Sequence, residues 1–143
     1  MPRILGIDYG TKRIGIAIGD AETRIATPLK TLPGRGDTAN DAAAVAELAA
    51  QEEAASIVVG LPISMDESES AQTKLTRKFA ADLARLAAKP VHLQDERLSS
   101  FAADESMQQV GLDPRKRKHR GVSDRVAAQK ILQAYLDALP NHH

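Results

Sequence analysis

Residues 3–19 read Arg3-Ile4-Leu5-Gly6-Ile7-Asp8-Tyr9-Gly10-Thr11-Lys12-Arg13-Ile14-Gly15-Ile16-Ala17-Ile18-Gly19. Two short Ile-rich runs, Arg3 to Asp8 and Ile14 to Gly19, flank a turn that contains Gly10, and this spacing predicts a β-hairpin. A third extended run, Arg24 to Leu32, stops at Pro33-Gly34. Asp37 or Thr38 then caps a helix that carries Val45, Leu48 and Ala49 on one face and ends near Glu53. Ser56 to Gly60 is short, apolar and rich in β-branched residues, as a buried parallel strand should be. Leu61 to Glu69 is a polar loop. From Ser70 to Ala88 the residues Leu75, Phe79, Leu83 and Leu86 mark an amphipathic helix. Pro90 to Gln94 is a further strand, and Ser99 or Ser100 caps a helix through Val110 that Gly111 stops. After a basic loop, Leu112 to Gly121, Ser123 or Asp124 opens a last helix bearing Ala128, Ile131, Leu132, Tyr135, Leu136 and Leu139. The order βββ-α-β-α-β-α-α is an antiparallel meander followed by crossover units. Right-handed crossovers give a mixed sheet with helices on its faces, an α/β fold.

Working outward from the hairpin, composition narrows the chemistry. The chain has 143 residues, room for one domain, and 43% apolar content, enough for one core. With two Tyr, two Phe and no Trp, a surface built on aromatic stacking is disfavoured. Ala is abundant, which suits close-packed helices. The absence of Cys excludes disulfides, thiolate metal sites and a Cys nucleophile. No apolar run reaches the ~20 residues of a membrane span, and the start lacks a signal-peptide pattern, so a cytoplasmic protein with no membrane partner is expected. Net charge is zero, with 19 bases and 19 acids. That balance hides a segregation: Gly36 to Thr73 holds eight acids and no Lys or Arg, leaving 19 bases against 11 acids elsewhere.

Three carboxylates stand where an α/β sheet places ligands. Asp8 ends a central strand, where an unpaired carboxylate is costly. It either accepts hydrogen bonds from the Gly10 or Thr11 backbone or meets a cation. Glu96, in Asp95-Glu96-Arg97, follows another strand at its carboxyl end, the usual ligand-binding edge. Its alternative is a surface pair with Arg97 or Lys89, worth little. Asp124 is either an ordinary acid at the start of a helix or a third ligand. Three acids converging on one edge form an oxygen-rich site suited to Mg²⁺ or Mn²⁺. Two such charges about 5 Å apart repel by roughly 3 kcal/mol at an effective dielectric near 20, so the cluster calls for a cation.

Four segments carry a family resemblance. Asp8-Tyr9-Gly10-Thr11-Lys12-Arg13-Ile14-Gly15 is followed in order by Gly60-Leu61-Pro62 with Met65-Asp66, then by Asp95-Glu96-Arg97-Leu98-Ser99. The fourth is Ser123-Asp124-Arg125-Val126-Ala127-Ala128 running into Ile131-Leu132-Gln133-Ala134-Tyr135-Leu136. Together they resemble the YqgF family, also called RuvX, the Holliday junction resolvase-like proteins with a ribonuclease H-like fold. The resemblance implies a five-stranded mixed sheet of order 3-2-1-4-5 flanked by helices, with residues 1–139 as one nuclease domain and 140–143 as a tail. It implies Asp8, Glu96 and Asp124 as the catalytic, metal-binding triad of a phosphodiester hydrolase, linked to 5′ maturation of 16S ribosomal RNA. Asp8 would bridge two ions, one activating water and the other stabilising the leaving 3′ oxygen. RuvC resolvases usually add a fourth acid one turn into the last helix, where this chain has Ala127.

Around that triad, Lys12 and Arg13 would neutralise a substrate phosphate, or else form a solvated hairpin tip. Pro114 to Arg120 holds five Lys or Arg in seven residues, and Arg115, Lys116, Arg117, Lys118, His119 and Arg120, with Arg97, would clamp a nucleic-acid backbone. The alternative is a solvated basic loop. Gly60 and Pro62 shape a strand exit, and Asp66 is a possible loop contact. His142 and His143 receive no role.

Three functions compete. The first is a metal-dependent nuclease on structured RNA in a ribosome precursor, or on four-way DNA junctions. The second is a non-catalytic RNA-binding assembly factor. The third follows the likeness of Asp8-x-Gly-Thr to the phosphate hairpin of actin-like ATPases and sugar kinases, disfavoured because 143 residues leave no second lobe. A symmetric junction cutter would need two sites, hence a homodimer or paired monomers.

Overall fold

The structure is a computed structural model that describes residues 2–63, 66, 68–96 and 120–140, and only the backbone of Arg120 to Val122. Its strands are β1 (Arg3–Tyr9), β2 (Arg13–Asp20), β3 (Ala26–Pro33), β4 (Ala54–Leu61) and β5 (Val91–Asp95). The helices are α1 (Thr38–Gln51), α2 (Ala71–Ala87) and α3 (Arg120–Asp137). The expected helix from Ser99 to Val110 lies outside the described residues.

One sheet of order β3-β2-β1-β4-β5 forms the centre. The first three strands are antiparallel, while β4 and β5 run parallel to β1. This is the expected mixed sheet. Alternation along β1 then sorts the side chains. Leu5, Ile7 and Tyr9 face a core completed by Val45 and Leu48 of α1 and by Phe79 and Leu83 of α2. Ile4 faces the other way, with Ala17 and Val58, toward Ala128, Ile131, Leu132 and Leu136 of α3. Among the described residues, α1 and α2 therefore cover one side of the sheet and α3 the other.

Local chemistry explains the helix starts. The Asp37 side chain accepts a hydrogen bond from Ala39 N at 3.0 Å, capping α1. Ser70 and Thr73 form a reciprocal capping box at the start of α2. The α2 stripe differs from its reading in leucines: Thr73 and Thr76 are fully buried, whereas Leu86 is exposed. Thr76 donates to Gln72 O at 2.8 Å and Thr73 donates to Pro62 O, so both hydroxyls are satisfied and can lie inward.

The last helix also begins earlier than expected. It starts at Arg120, so neither Ser123 nor Asp124 is its cap, and Asp124 sits in the helix rather than opening it. The Asp124 carboxylate is engaged by a strand residue instead of by its own helix terminus.

At its far end α3 is fastened to the β2–β3 turn. Gln133 accepts from Ala26 N at 3.0 Å and donates to Arg24 O at 2.8 Å, and Gln129 donates to Ala26 O at 3.0 Å. Arg24 donates to Leu139 O at 2.9 Å and to Pro140 O, which satisfies carbonyls beyond the helix end.

Candidate active site

The three acids come from three elements at one edge of the sheet. Asp8 lies near the end of β1, on the face that α3 covers. Its ladder partner on β2 is Gly15. Glu96 directly follows β5, and its backbone N–H donates to Leu61 O at 3.1 Å, which extends the parallel ladder by one residue. Asp124 is on α3.

Asp8 and Glu96 are in direct contact through a carboxyl–carboxyl hydrogen bond. Burial first, and then the Asp124 charge, push the Asp8 carboxyl up to about 6. Burial, the charge of Asp8 and the hydrogen bond to Asp8 together push Glu96 up to about 7, while the same bond lowers Asp8. Glu96 is therefore the protonated partner and donates to the Asp8 carboxylate. Near neutral pH the two acids share roughly one proton, as closely spaced carboxyls do.

Asp124 faces a different partner. Arg13 Nε donates to Asp124 Oδ2 at 2.9 Å, a part-buried ion pair with side chains 36% and 24% exposed respectively. Asp124 is near enough to raise Asp8 electrostatically, yet its carboxylate is tied to β2. With the side chains so arranged, no group of three His, Asp or Glu converges as a metal cage among the described residues. The donor set is nonetheless all carboxylate oxygen, half-buried, and crowded by its own charge, which fits a hard divalent cation.

The other expected residues divide clearly. Arg13 is committed to Asp124, while Lys12 is exposed at the hairpin tip, where its carbonyl accepts from Gly34 N at 2.8 Å. Lys89 donates to Ala49 O at 3.3 Å rather than pairing with Glu96. Asp66 is exposed and accepts from Ser68 N at 3.0 Å, a local turn contact outside the acid cluster. Arg97, Arg115, Lys116, Arg117, Lys118 and His119, and the Arg120 side chain, lie outside what is described.

Gly60, expected to shape a strand exit, and Gly15, given no role of its own, are places of close approach. A Cβ on Gly60 would stand 2.9 Å from Glu96 Oε1 and 2.4 Å from Ile131 Cδ1. One on Gly15 would stand 2.0 Å from the Asp124 carbonyl oxygen. Glycine inside a strand marks a close approach, and that signal was present in β1, β2 and β4. Sequence reasoning missed a support behind Asp8. Tyr9 OH donates to buried Asp41 Oδ2 at 2.9 Å, and Arg35 N donates to Asp41 Oδ1 at 2.8 Å. This joins the β3–α1 turn to the strand that bears Asp8.

Comparison with known proteins agrees with this fold. A family model described as RuvX, Holliday junction resolvase, matches residues 2–138. A Methylobacillus flagellatus protein named "Putative pre-16S rRNA nuclease" is 46% identical over 138 residues, 95% of this chain and 91% of that protein. One of the same name from Methylocella silvestris is 42% identical over 137 residues, 96% of this chain and 83% of that protein. Among solved structures, Thermus thermophilus RuvC in complex with a Holliday junction substrate matches with TM-score 0.59 at 17% identity, covering 94% of this chain and 92% of that one. At that identity the likeness is one of fold.

Proposed function

The chain belongs to the RuvX family of Holliday junction resolvases, and from that premise we propose that it is a divalent-metal-dependent nuclease. It hydrolyses phosphodiester bonds in structured RNA, with the 5′ end of pre-16S ribosomal RNA as its substrate in ribosome biogenesis. The observation that carries this reading is the half-buried Asp8–Glu96 contact with Asp124 in Coulombic reach. The names of the relatives supply the substrate.

Asp8, Glu96 and Asp124 would hold Mg²⁺ or Mn²⁺. Bound divalent ions lower the pKa of a water nucleophile and neutralise a leaving oxygen. The chain's own groups do the rest. Loss of the proton between Asp8 and Glu96 would leave two adjacent carboxylates free to accept a cation. Exchange of the Asp124 contact releases Arg13, whose guanidinium then stands beside the site as a phosphate partner. Lys12 adds a second cation at the hairpin tip. The basic run from Arg115 to Arg120 and Arg97 supply sequence-independent backbone contacts, so binding weakens with salt.

The test is a parallel assay of a pre-16S RNA fragment and a four-way DNA junction, with Mg²⁺ or Mn²⁺ and with Asp8→Asn as control. Metal-dependent RNA cleavage that Asp8→Asn abolishes is the expected result. Cleavage of the junction alone would reassign the substrate. Salt-sensitive RNA binding with no cleavage of either would make the chain an assembly factor.

A further inference from the structure

α3 crosses four glycine-bearing positions of the sheet, and one of them differs from the rest. A Cβ on Gly6 would meet Leu132 Cβ at 2.6 Å and Ala128 O at 3.0 Å. On Gly19 it would meet Leu132 Cδ2 and Leu136 Cδ1, both at 3.0 Å, and on Gly60 it would meet Ile131 Cδ1 and Glu96 Oε1. At Gly19 the two nearest atoms are ends of flexible side chains, with the Ile25 carbonyl oxygen next at 3.2 Å, and at Gly6 the α3 backbone comes no nearer than 3.0 Å. At Gly15 the obstacle is the backbone of Asp124 itself, with its carbonyl oxygen at 2.0 Å, its carbonyl carbon at 2.4 Å and its Cβ at 3.0 Å. Helix backbone cannot yield there without moving the helix.

Gly15 is also the antiparallel ladder partner of Asp8. Directly opposed residues point to the same sheet face, with Cβ positions ~5 Å apart. The helix turn that carries Asp124 is thus seated on the position beside the Asp8 side chain. The neighbouring residue on α3, Arg125, is charged, and Asp124 is already fixed from β2 by Arg13. Seat and tether converge on the same carboxylate.

We infer that Gly15 is a positioning residue: by admitting the Asp124 backbone into contact with β2, it sets how closely the Asp124 carboxylate approaches Asp8. The inference rests on the reading of Asp8, Glu96 and Asp124 as one ligand set. Any side chain at position 15 would lift this turn of α3 from the sheet and move the Asp124 carboxylate away from Asp8. Gly19 lies further along the same strand and the same helix, away from the acids, and serves as the matched control.

The experiment measures Mn²⁺ binding to the full chain from the loss of the free Mn²⁺ EPR signal, with thermal unfolding recorded for each variant. The wild type, Gly15→Ala, Gly19→Ala and the double variant Gly15→Ala with Asp124→Glu are compared. Gly15→Ala is expected to bind Mn²⁺ at least tenfold more weakly and Gly19→Ala within about twofold of wild type. The double variant should recover much of the loss, because the longer Glu reaches back across the widened gap. Such recovery separates a change of distance from a general loss of structure.

Gly15→Ala binding Mn²⁺ as the wild type does would overturn the inference while leaving the ligand set intact. A wild type that binds no Mn²⁺ would overturn the ligand set itself, and the inference with it. If Gly15→Ala and the double variant both fail to fold while Gly19→Ala folds, Gly15 serves folding alone and the inference is rejected.

Discussion

Arg13 Nε and Asp124 Oδ2 stand 2.9 Å apart across 111 positions of sequence, so the first residue of β2 holds the acid that α3 brings to the sheet. On the proposed reading, a divalent cation would compete with this guanidinium for the same oxygen.

Removing that competitor should show in binding. Arg13→Ala is expected to tighten Mn²⁺ binding by up to about fivefold, the worth of a part-exposed ion pair of up to ~1 kcal/mol. RNA binding should weaken in the same variant, and its salt dependence should flatten. Titration calorimetry for Mn²⁺ and filter binding for RNA would check both. Weaker Mn²⁺ binding would show that Arg13 presents Asp124 to the metal instead of withholding it.

The Asp8–Glu96 pair should mark the pH dependence of stability without metal. Both carboxyls are raised in the fold, to about 6 and about 7, above ordinary values of 3.8 and 4.5. The folded chain therefore binds more protons than the unfolded chain between those limits. The pair's contribution is fully present below about pH 4 and is lost as pH rises through 6 and 7. Asp8→Asn carries no such charge. Its stability relative to the wild type should rise from pH 5 to pH 8, by on the order of 2 kcal/mol at the upper end, and be read as a growing gap in Tm. Parallel melting curves over that range would contradict the raised values.

Tyr9→Phe should destabilise the chain by about 1–3 kcal/mol, because Asp41 is buried and loses one of its two donors. The ring stack with Phe79, at 4.1 Å between centroids, remains. Urea unfolding of Tyr9→Phe and of Tyr9→Phe with Asp41→Asn would check this. A neutral Tyr9→Phe would mean that water replaces the hydroxyl.

Gln133→Ala should loosen one end of α3 only. Its amide satisfies Ala26 N and Arg24 O, so its loss is expected to cost about 1–2 kcal/mol. Hydrogen exchange should rise around Arg24 to Ala26 and the last turns of α3, while Mn²⁺ binding stays within about twofold of wild type. Uniformly faster exchange along the helix would argue that α3 opens as one unit.

Much of the fold was legible because its signals are local. Gly10, Pro33-Gly34 and Asp37 punctuate the first half, and strand parity separates Leu5 and Ile7 from Ile4. Asp8 and Glu96 were legible from their places after apolar runs. The start of α3 was not, because Ser123 and Asp124 look like caps until Arg13 is seen to hold Asp124. The burial of Thr73 and Thr76 was hidden for a similar reason: their hydroxyls find partners at Pro62 and Gln72 that no apolar period reveals. Tyr9 and Asp41 lie 32 residues apart and meet only through the tertiary fold. The glycines at positions 15 and 60 were visible as letters, but what they make room for belongs to α3 and Glu96.

α3 is the last of the described elements in the chain, and it brings both the second hydrophobic layer and Asp124. Synthesis runs from the amino end, so a nascent chain can assemble β1 to β4 around α1 and α2 while Ile4, Ala17 and Val58 still lack their cover. On the proposed reading of Asp8, Glu96 and Asp124 as one ligand set, docking of α3 and assembly of the acid cluster would then be one event. A partly made chain would hold no complete set beside the RNA of the ribosome that is making it.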